Sequence, residues 1–278
     1  MLGTRILTAA VLVPLTLAAL FLLGPVGWGL ATLVLVVIGA VEWADLAGYS
    51  QRTWALFAGG VFLIGLTLLF ARASAFSPEG GWPAAVTVAI CGAATVFWLL
   101  VAPFWLAARW RVASRLTLVL LGLLLLLATW VAVVQLQSRS PWLLLALMAV
   151  VWIADTAAYF AGRAFGRHKL APSISPGKTW EGVYGALLAT AVYGAFLLRF
   201  APDRIELSAG AVAAWIAGLL ALTALSIVGD LFESLLKRQR GVKDSGKLLP
   251  GHGGVLDRID ALLAAMPAAA LIAQYALR

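Results

Sequence analysis

Nine stretches of this chain stay apolar for close to the length of about 20 residues that an α-helix needs to cross a bilayer. They fall at roughly 6–23, 27–47, 54–71, 84–107, 115–135, 141–161, 181–200, 208–229 and 255–277. Each run is continuously apolar and lacks the alternation of a membrane β-strand, so its backbone polar groups must be satisfied within helices. The expectation is an all-α polytopic membrane protein with about nine transmembrane helices. Composition agrees: only 12% of residues are charged, against about 25% in a soluble domain. No internal repeat or low-complexity linker interrupts the pattern.

The first run, in "MLGTRILTAAVLVPLTLAALFLLG", follows a single Arg and so resembles a secretory signal. It lacks a small-x-small cleavage site and is long enough to span, which makes it the first helix. Cys91 is the only cysteine. It lies within an apolar run, has no intrachain disulfide partner, and is expected simply to pack.

A net charge of +8 invites a nucleic-acid reading, but the basic residues sort by side of the membrane. With nine spans, alternate loops share a side. One side carries Arg5, Arg52, Arg109, Arg111, Arg115, Arg163, Arg167, Lys169, Lys178, Lys237, Arg238, Arg240, Lys243 and Lys247; the other has Arg72, Arg139, Arg199, Arg204 and Arg278. The positive-inside rule then puts the N-terminus in the cytoplasm and the C-terminus outside, and no nucleic acid is needed to account for the charge. Trp28, Trp54, Trp82, Trp110, Trp142 and Trp180, near the predicted ends, fit an interfacial belt.

Two loops on the basic side exceed what topology asks for, "GRAFGRHKLAPSISPGKTWEG" (162–182) and "KRQRGVKDSGKLLPGHGG" (237–254). Both mix basic residues with Gly, Pro and Ser, the composition of an irregular backbone that can turn its N–H groups toward phosphate. Next to them lie carboxylates in improbable places. Asp155 falls inside the sixth apolar run, where a charge normally faces a polar cavity, although pairing with Arg163 at a helix end would also explain it. Ser226, Asp230, Ser234 and Lys237 recur at steps of four, four and three and share one helical face, with Glu233 beside it. An amphipathic exit helix would show the same stripe.

The stretch "LDRID" at the mouth of the last run is harder to explain blandly. Asp257 and Asp260 share a helix face while Arg258 points elsewhere. Carboxylates so close repel unless a cation or proton intervenes, which suggests a hard divalent metal; the helix dipole offers a purely structural alternative. Ahead of them Pro250, Gly251, Gly253 and Gly254 bracket His252 in a side-chain-poor loop able to approach a phosphate closely. Two near-matches to a P-loop fail: "GVKDSGKL" ends in Leu248 where a hydroxyl belongs, "PSISPGKT" begins with Pro172 where a Gly belongs, and neither follows a predicted strand.

Together, Ser234, Lys237, Arg238, Lys243, Asp244, Gly246, Leu249, Pro250, His252, Gly253, Gly254, Val255, Asp257, Arg258, Ile259 and Asp260 read S-x-x-K-R-x-x-x-x-K-D-x-G-x-x-L-P-x-H-G-G-V-x-D-R-I-D. This resembles the signature of the phosphatidate cytidylyltransferase (CDP-diacylglycerol synthase) family. Upstream, "SPGKTWEG" resembles the family's S-P-K-K-T-x-E-G segment and "ADTAAYFAGR" its D-T-x-A-Y-x-x-G segment. Gly177 stands where the family has a lysine, leaving Lys178 as the single ammonium of that pair. The motifs cover the C-terminal half; the first five or so helices match only in being hydrophobic. On this reading residues 1–135 supply N-terminal transmembrane helices and 136–278 a C-terminal transmembrane catalytic region with its cytoplasmic loops.

The resemblance implies transfer of the cytidylyl group of CTP to phosphatidate at the cytoplasmic face of a bacterial inner membrane, for phospholipid biosynthesis. It implies Mg²⁺ held by Asp230, Asp257 and Asp260, and a second, monovalent cation such as K⁺. Asp230, Asp257, Lys237 and Arg258 form the expected catalytic group. Lys178, Ser234, Arg238, Lys243, Asp244, His252, Gly253 and Gly254 are the expected substrate contacts. A homodimer is compatible with it. Competing classes are a CTP-dependent membrane lipid kinase, separable by its products, and an ion-coupled transporter using Asp155. The transporter lacks support from paired half-helices, and the D-G-x-x-A-R signature of a CDP-alcohol phosphotransferase is missing.

Overall fold

The computed structural model describes residues 2–70, 81–112, 114–200 and 208–276. Arg72, Arg204 and Arg278, three of the basic residues on the sparse side, lie outside the described residues. Nine helical rods follow the nine apolar runs: α1 (Leu2–Leu22), α2 (Pro25–Leu46), α3 (Gln51–Phe70), α4 with α5 (Ala84–Val96 and Ala102–Ala108), α6 (Arg115–Arg139), α7 (Pro141–Phe165), α8 (Trp180–Leu198), α9 (Ala209–Arg240) and α10 (Leu256–Ala276). Seven of them are long and apolar enough to cross a membrane, which makes the chain a multi-pass membrane protein. The two that fall short are α1, whose apolar part is Ala10–Leu22, and α10, whose first turn is charged.

Local chemistry sets the ends. Ser140 closes α6 and opens α7, accepting a hydrogen bond from Leu143 N, and Pro141 sits at the first helical position, where its missing N–H costs nothing. Ser208 and Thr179 cap α9 and α8 in the same way. Between α4 and α5 the rod loosens into a π-helical stretch, Phe97–Val101. Pro103, just beyond it, has no N–H to donate back into the helix, and a one-residue bulge accommodates that loss.

The bundle is built around α10, which packs on α9, α6, α4 and α7. Ala261–Ala270 is buried almost throughout, and its alanines permit the close helix approach favoured inside membranes. Gly229 of α9 lies against the α10 backbone at Asp260, where any Cβ would meet the carbonyl oxygen of Asp260 at 2.6 Å. Cys91 packs against Ala128 of α6, as expected. Trp110, Trp142 and Trp180 are exposed and Trp54 half-buried, as an interfacial belt would require, but Trp28 and Trp82 are core residues, with Trp28 Nε1 donating to Val133 O. Their run ends face other helices rather than lipid headgroups.

The loop after α7 is more ordered than its composition predicts. It folds as a two-stranded antiparallel hairpin, β1 (Lys169–Ala171) and β2 (Ser175–Thr179), which leads straight into α8. The hairpin, the end of α9, the start of α10, the end of α2 and the α5–α6 loop all gather at one end of the bundle.

Candidate active site

Phe232 fixes the rotation of α9. Its ring sits among Phe97, Trp98 and Trp105 at centroid distances of 5.5, 5.4 and 5.3 Å, all close to perpendicular. The side chains flanking it, Asp230, Glu233, Ser234 and Lys237, are thereby aimed toward α10 and the hairpin. Asp230 Oδ2 accepts from Lys178 Nζ at 2.5 Å and Oδ1 from Ser234 Oγ at 3.3 Å. Thus β2 delivers Lys178 to the carboxylate stripe that the spacing of α9 predicts.

One turn further on, Lys237 Nζ donates to Glu233 Oε2 at 2.8 Å and to Asp257 Oδ1 at 2.6 Å, with its side chain only 10% exposed. Asp257 Oδ2 takes three more donors: Ser245 N, Ser245 Oγ and Gly254 N at 2.9, 3.0 and 2.8 Å. Each carboxylate oxygen offers about two lone-pair sites, so Oδ2 is saturated while Oδ1, with Lys237 as its donor, keeps one site open. Asp257 ties the glycine-rich loop to α10 as well as facing the cluster. Gly251 and Gly253 both adopt positive φ, and a Cβ at Gly253 would crowd Asp257 Oδ2 at 2.7 Å.

Asp260 and Glu233 bring their carboxyl groups within hydrogen-bonding reach of each other, and Asp230 adds its field to Asp260. Glu233 is buried, and its Oε1 has no donor among the described residues. Asp155 faces Asp230, Lys178 and Arg258. Its alternative partner Arg163 instead donates to Tyr159 Oη at 2.7 Å.

Other predicted residues stand apart. Lys243 and Asp244 are exposed at the loop edge. Arg238 is turned toward the hairpin, donating to Ile174 O and Val242 O. His252 lies inside the tight turn closed by Leu249 N to Gly253 O, with Nδ1 buried and without a partner among the described residues.

Sequence reasoning missed Glu42 altogether. From α2 it reaches across to the start of α10, where Oε1 accepts from Val255 N and Oε2 from Leu256 N and Ser245 Oγ. A carboxylate inside an apolar run was the available signal, the same one that singled out Asp155.

Residues 3–276 match the cytidylyltransferase family. The chain belongs to that family. It is similar to phosphatidate cytidylyltransferases of Pseudomonas aeruginosa (41% identical, covering 96% of this chain and 95% of that protein) and Haemophilus influenzae (36%, covering 96% of each). The Brucella suis protein of that name is 37% identical over 95% of this chain and 90% of its own length. The matched span therefore extends through the N-terminal helices, beyond the motifs.

A metal in this cytidylyltransferase can be tested against its own donors. Five carboxylates, Asp155, Asp230, Glu233, Asp257 and Asp260, share the cluster with three cations, Lys178, Lys237 and Arg258. The surplus is negative, and although Lys237 reaches Glu233 Oε2 and Ala261 N reaches Asp260 Oδ1, Glu233 Oε1 has no donor among the described residues. Among the described residues no three acidic, His or Cys side chains form a ready-made metal cage. A hard cation held there would have to complete its shell with water and substrate phosphate. Mg²⁺ keeps its waters and is usually bound by one or two carboxylates together with substrate phosphates.

Proposed function

We propose that this cytidylyltransferase joins the cytidylyl group of CTP to phosphatidate, giving CDP-diacylglycerol and pyrophosphate. The observation that carries the reading is the placing of Asp230, Lys178, Lys237 and Asp257 in one cluster at the end of the bundle where the basic loops gather. One substrate is a lipid and the other a soluble polyanion, so a site at the membrane edge is required. The names of the relatives supply the substrates.

In the proposed step a phosphatidate phosphate oxygen forms a bond to the α-phosphorus of CTP as the bond to the β-phosphate oxygen breaks and pyrophosphate leaves. The attacking oxygen is already anionic near neutral pH, so no general base is needed and the barrier is chiefly repulsion between phosphates. Asp230, Asp257 and Asp260 would hold Mg²⁺, with Glu233 beside them. That ion supplies charge neutralisation at the reacting phosphates. A monovalent cation such as K⁺ would share the cluster.

The chain's own contributions follow from the geometry. Lys178 can leave Asp230 for a substrate phosphate because the hairpin holds its backbone while its side chain stays partly exposed. Lys237, clamped between Glu233 and Asp257, is a fixed positive charge beside the site rather than a mobile one. Ser234 stands beside Asp230, and Arg258, Gly253 and Gly254 would contact substrate near it, whereas Lys243 and Asp244 at the exposed loop edge and His252 inside the tight turn would have to be reached by the nucleotide itself. The site faces the cytoplasm of a bacterial inner membrane, with the N-terminus on the same side.

The test is to supply purified protein with CTP, Mg²⁺ and phosphatidate and follow products. Strictly phosphatidate-dependent pyrophosphate release is expected. Formation of CDP and a newly phosphorylated lipid would instead make the protein a lipid kinase.

A further inference from the structure

A second basic feature lies outside the carboxylate cluster. A pocket of about 140 Å³ opens between the α5–α6 loop, the hairpin turn and the last turn of α9, and its lining includes Arg109, Arg111, Arg238, Ser173 and Gln239. No carboxylate lines it. Leu235 and Gln239 occupy a flank of α9 turned away from the stripe of Asp230, Ser234 and Lys237, and Arg238, one turn after Ser234, stands at the border between the two. Arg238 stands about 12 Å along the helix axis from Asp230.

The pocket is held in shape. Gln239 Nε2 donates to Trp110 O at 2.7 Å, and Trp105 Nε1 donates to the same carbonyl at 3.0 Å, so the peptide between the two loop arginines is clamped to α9 and α5. Arg109 takes a left-handed backbone, φ 52°, where the chain turns out of α5. Arg238 uses Nε and Nη1 on the carbonyls of Ile174 and Val242, and its Nη2 has no partner among the described residues. Arg109 and Arg111 form no ion pair among the described residues.

Membrane topology explains why arginines occur in this loop, but not why two of them converge with a third from another helix and with a hairpin hydroxyl. Like charges gathered without a counter-charge raise the local potential and recruit an anion. Guanidinium groups match the oxygens of phosphate in bidentate fashion. The volume is well below the roughly 300 Å³ at which pockets for whole small molecules begin, so it suits a phosphate or pyrophosphate group rather than a nucleoside.

We propose that Arg109, Arg111 and Arg238 form a phosphate-binding pocket distinct from the carboxylate cluster. The phosphate comes either from the tail of the nucleotide or from the headgroup of an anionic lipid, and assigning that source rests on the cytidylyl-transfer reading.

The experiment compares wild type with the Arg109→Asn, Arg111→Gln double variant, in which Asn keeps the left-handed backbone accessible. Arg52→Gln, a substitution at the same end of the bundle, is the control. Inorganic pyrophosphate is titrated into each purified protein by calorimetry without divalent metal, and the KM for CTP is measured with Mg²⁺. In a second arm, activity is compared in phosphatidylcholine nanodiscs with and without phosphatidylglycerol.

A nucleotide source predicts that the double variant binds pyrophosphate about tenfold more weakly or worse, as expected on losing two charged donors. The KM for CTP should rise in parallel, with the KM for phosphatidate unchanged. A lipid source predicts equal pyrophosphate binding but activation by phosphatidylglycerol that is lost in the double variant only. If neither arm separates the variant from wild type, the pocket proposal is wrong. Wild type that binds pyrophosphate through these arginines yet releases none from CTP would instead sink the reaction assignment while leaving the pocket standing.

Discussion

Glu42 caps a helix that begins 214 residues later: its Oε1 accepts from Val255 N at 3.0 Å and its Oε2 from Leu256 N at 2.7 Å. The first N–H groups of α10 have no partners of their own helix, and the residue beside them, Asp257, uses its oxygens on Lys237, Ser245 and Gly254. A carboxylate from α2 therefore does the capping, and Ser245 Oγ links it to Asp257. Glu42→Ala should orphan these donors at about 1–3 kcal/mol each, lowering both the melting temperature in detergent and kcat. Glu42→Gln keeps one acceptor oxygen and should fall between Ala and wild type. An alanine variant with unchanged melting and turnover would show that the loop is held without this contact.

Lys178 and Lys169 stand at opposite ends of the hairpin sequence, yet only Lys178 meets a carboxylate, at 2.5 Å from Asp230. Lys169 is exposed. Lys178→Ala should cut kcat/KM by about two orders of magnitude, in the range of removing a charge that acts on the reacting phosphates. Lys169→Ala should change it by no more than a few-fold. Equal, mild effects would reduce the hairpin to a topological anchor.

Nine spanning rods would place the two ends of the chain on opposite faces, and the charge bias would put the first in the cytoplasm. A reporter fused after residue 278 should be active only outside the cytoplasmic membrane. Cytoplasmic activity would overturn the topology and move the basic loops to the wrong side for CTP.

How far this site is legible in the sequence depends on the separation of the partners. The stripe of Asp230, Ser234 and Lys237 and the face shared by Asp257 and Asp260 follow from helical periodicity alone, and both hold. Lys178 is flagged by a motif, but its partner is not, because the contact depends on a hairpin that Pro- and Gly-rich composition does not reveal. Glu42 and the convergence of Arg109 with Arg238 depend on which helices become neighbours. Apolar runs give the number and length of the rods and say little about their order in the bundle, since one lipid-compatible surface looks much like another.

The carboxylates can be separated by what each does besides bearing charge. Among the described residues Asp230 accepts from Lys178 and Ser234, whereas Asp257 accepts from Lys237 and from two loop N–H groups. Replacing either with Asn removes one negative charge and should lower kcat by orders of magnitude if both serve one Mg²⁺ site. Asp257→Asn also turns an amide toward donors, so it alone should lower the melting temperature. The double variant should lose little more activity than the worse single variant, as expected for groups that act as a unit. Asp260→Asn, which relieves its contact with Glu233 while leaving Asp230 and Asp257 in place, should be the mildest of the three. A second readout is the Mg²⁺ concentration for half-maximal activity, which should rise in any single variant that retains measurable turnover. Substantial Mg²⁺-dependent turnover by the Asp230→Asn, Asp257→Asn double variant would exclude this pair as the metal-holding carboxylates and leave Glu233 with Asp260 to be tested in their place.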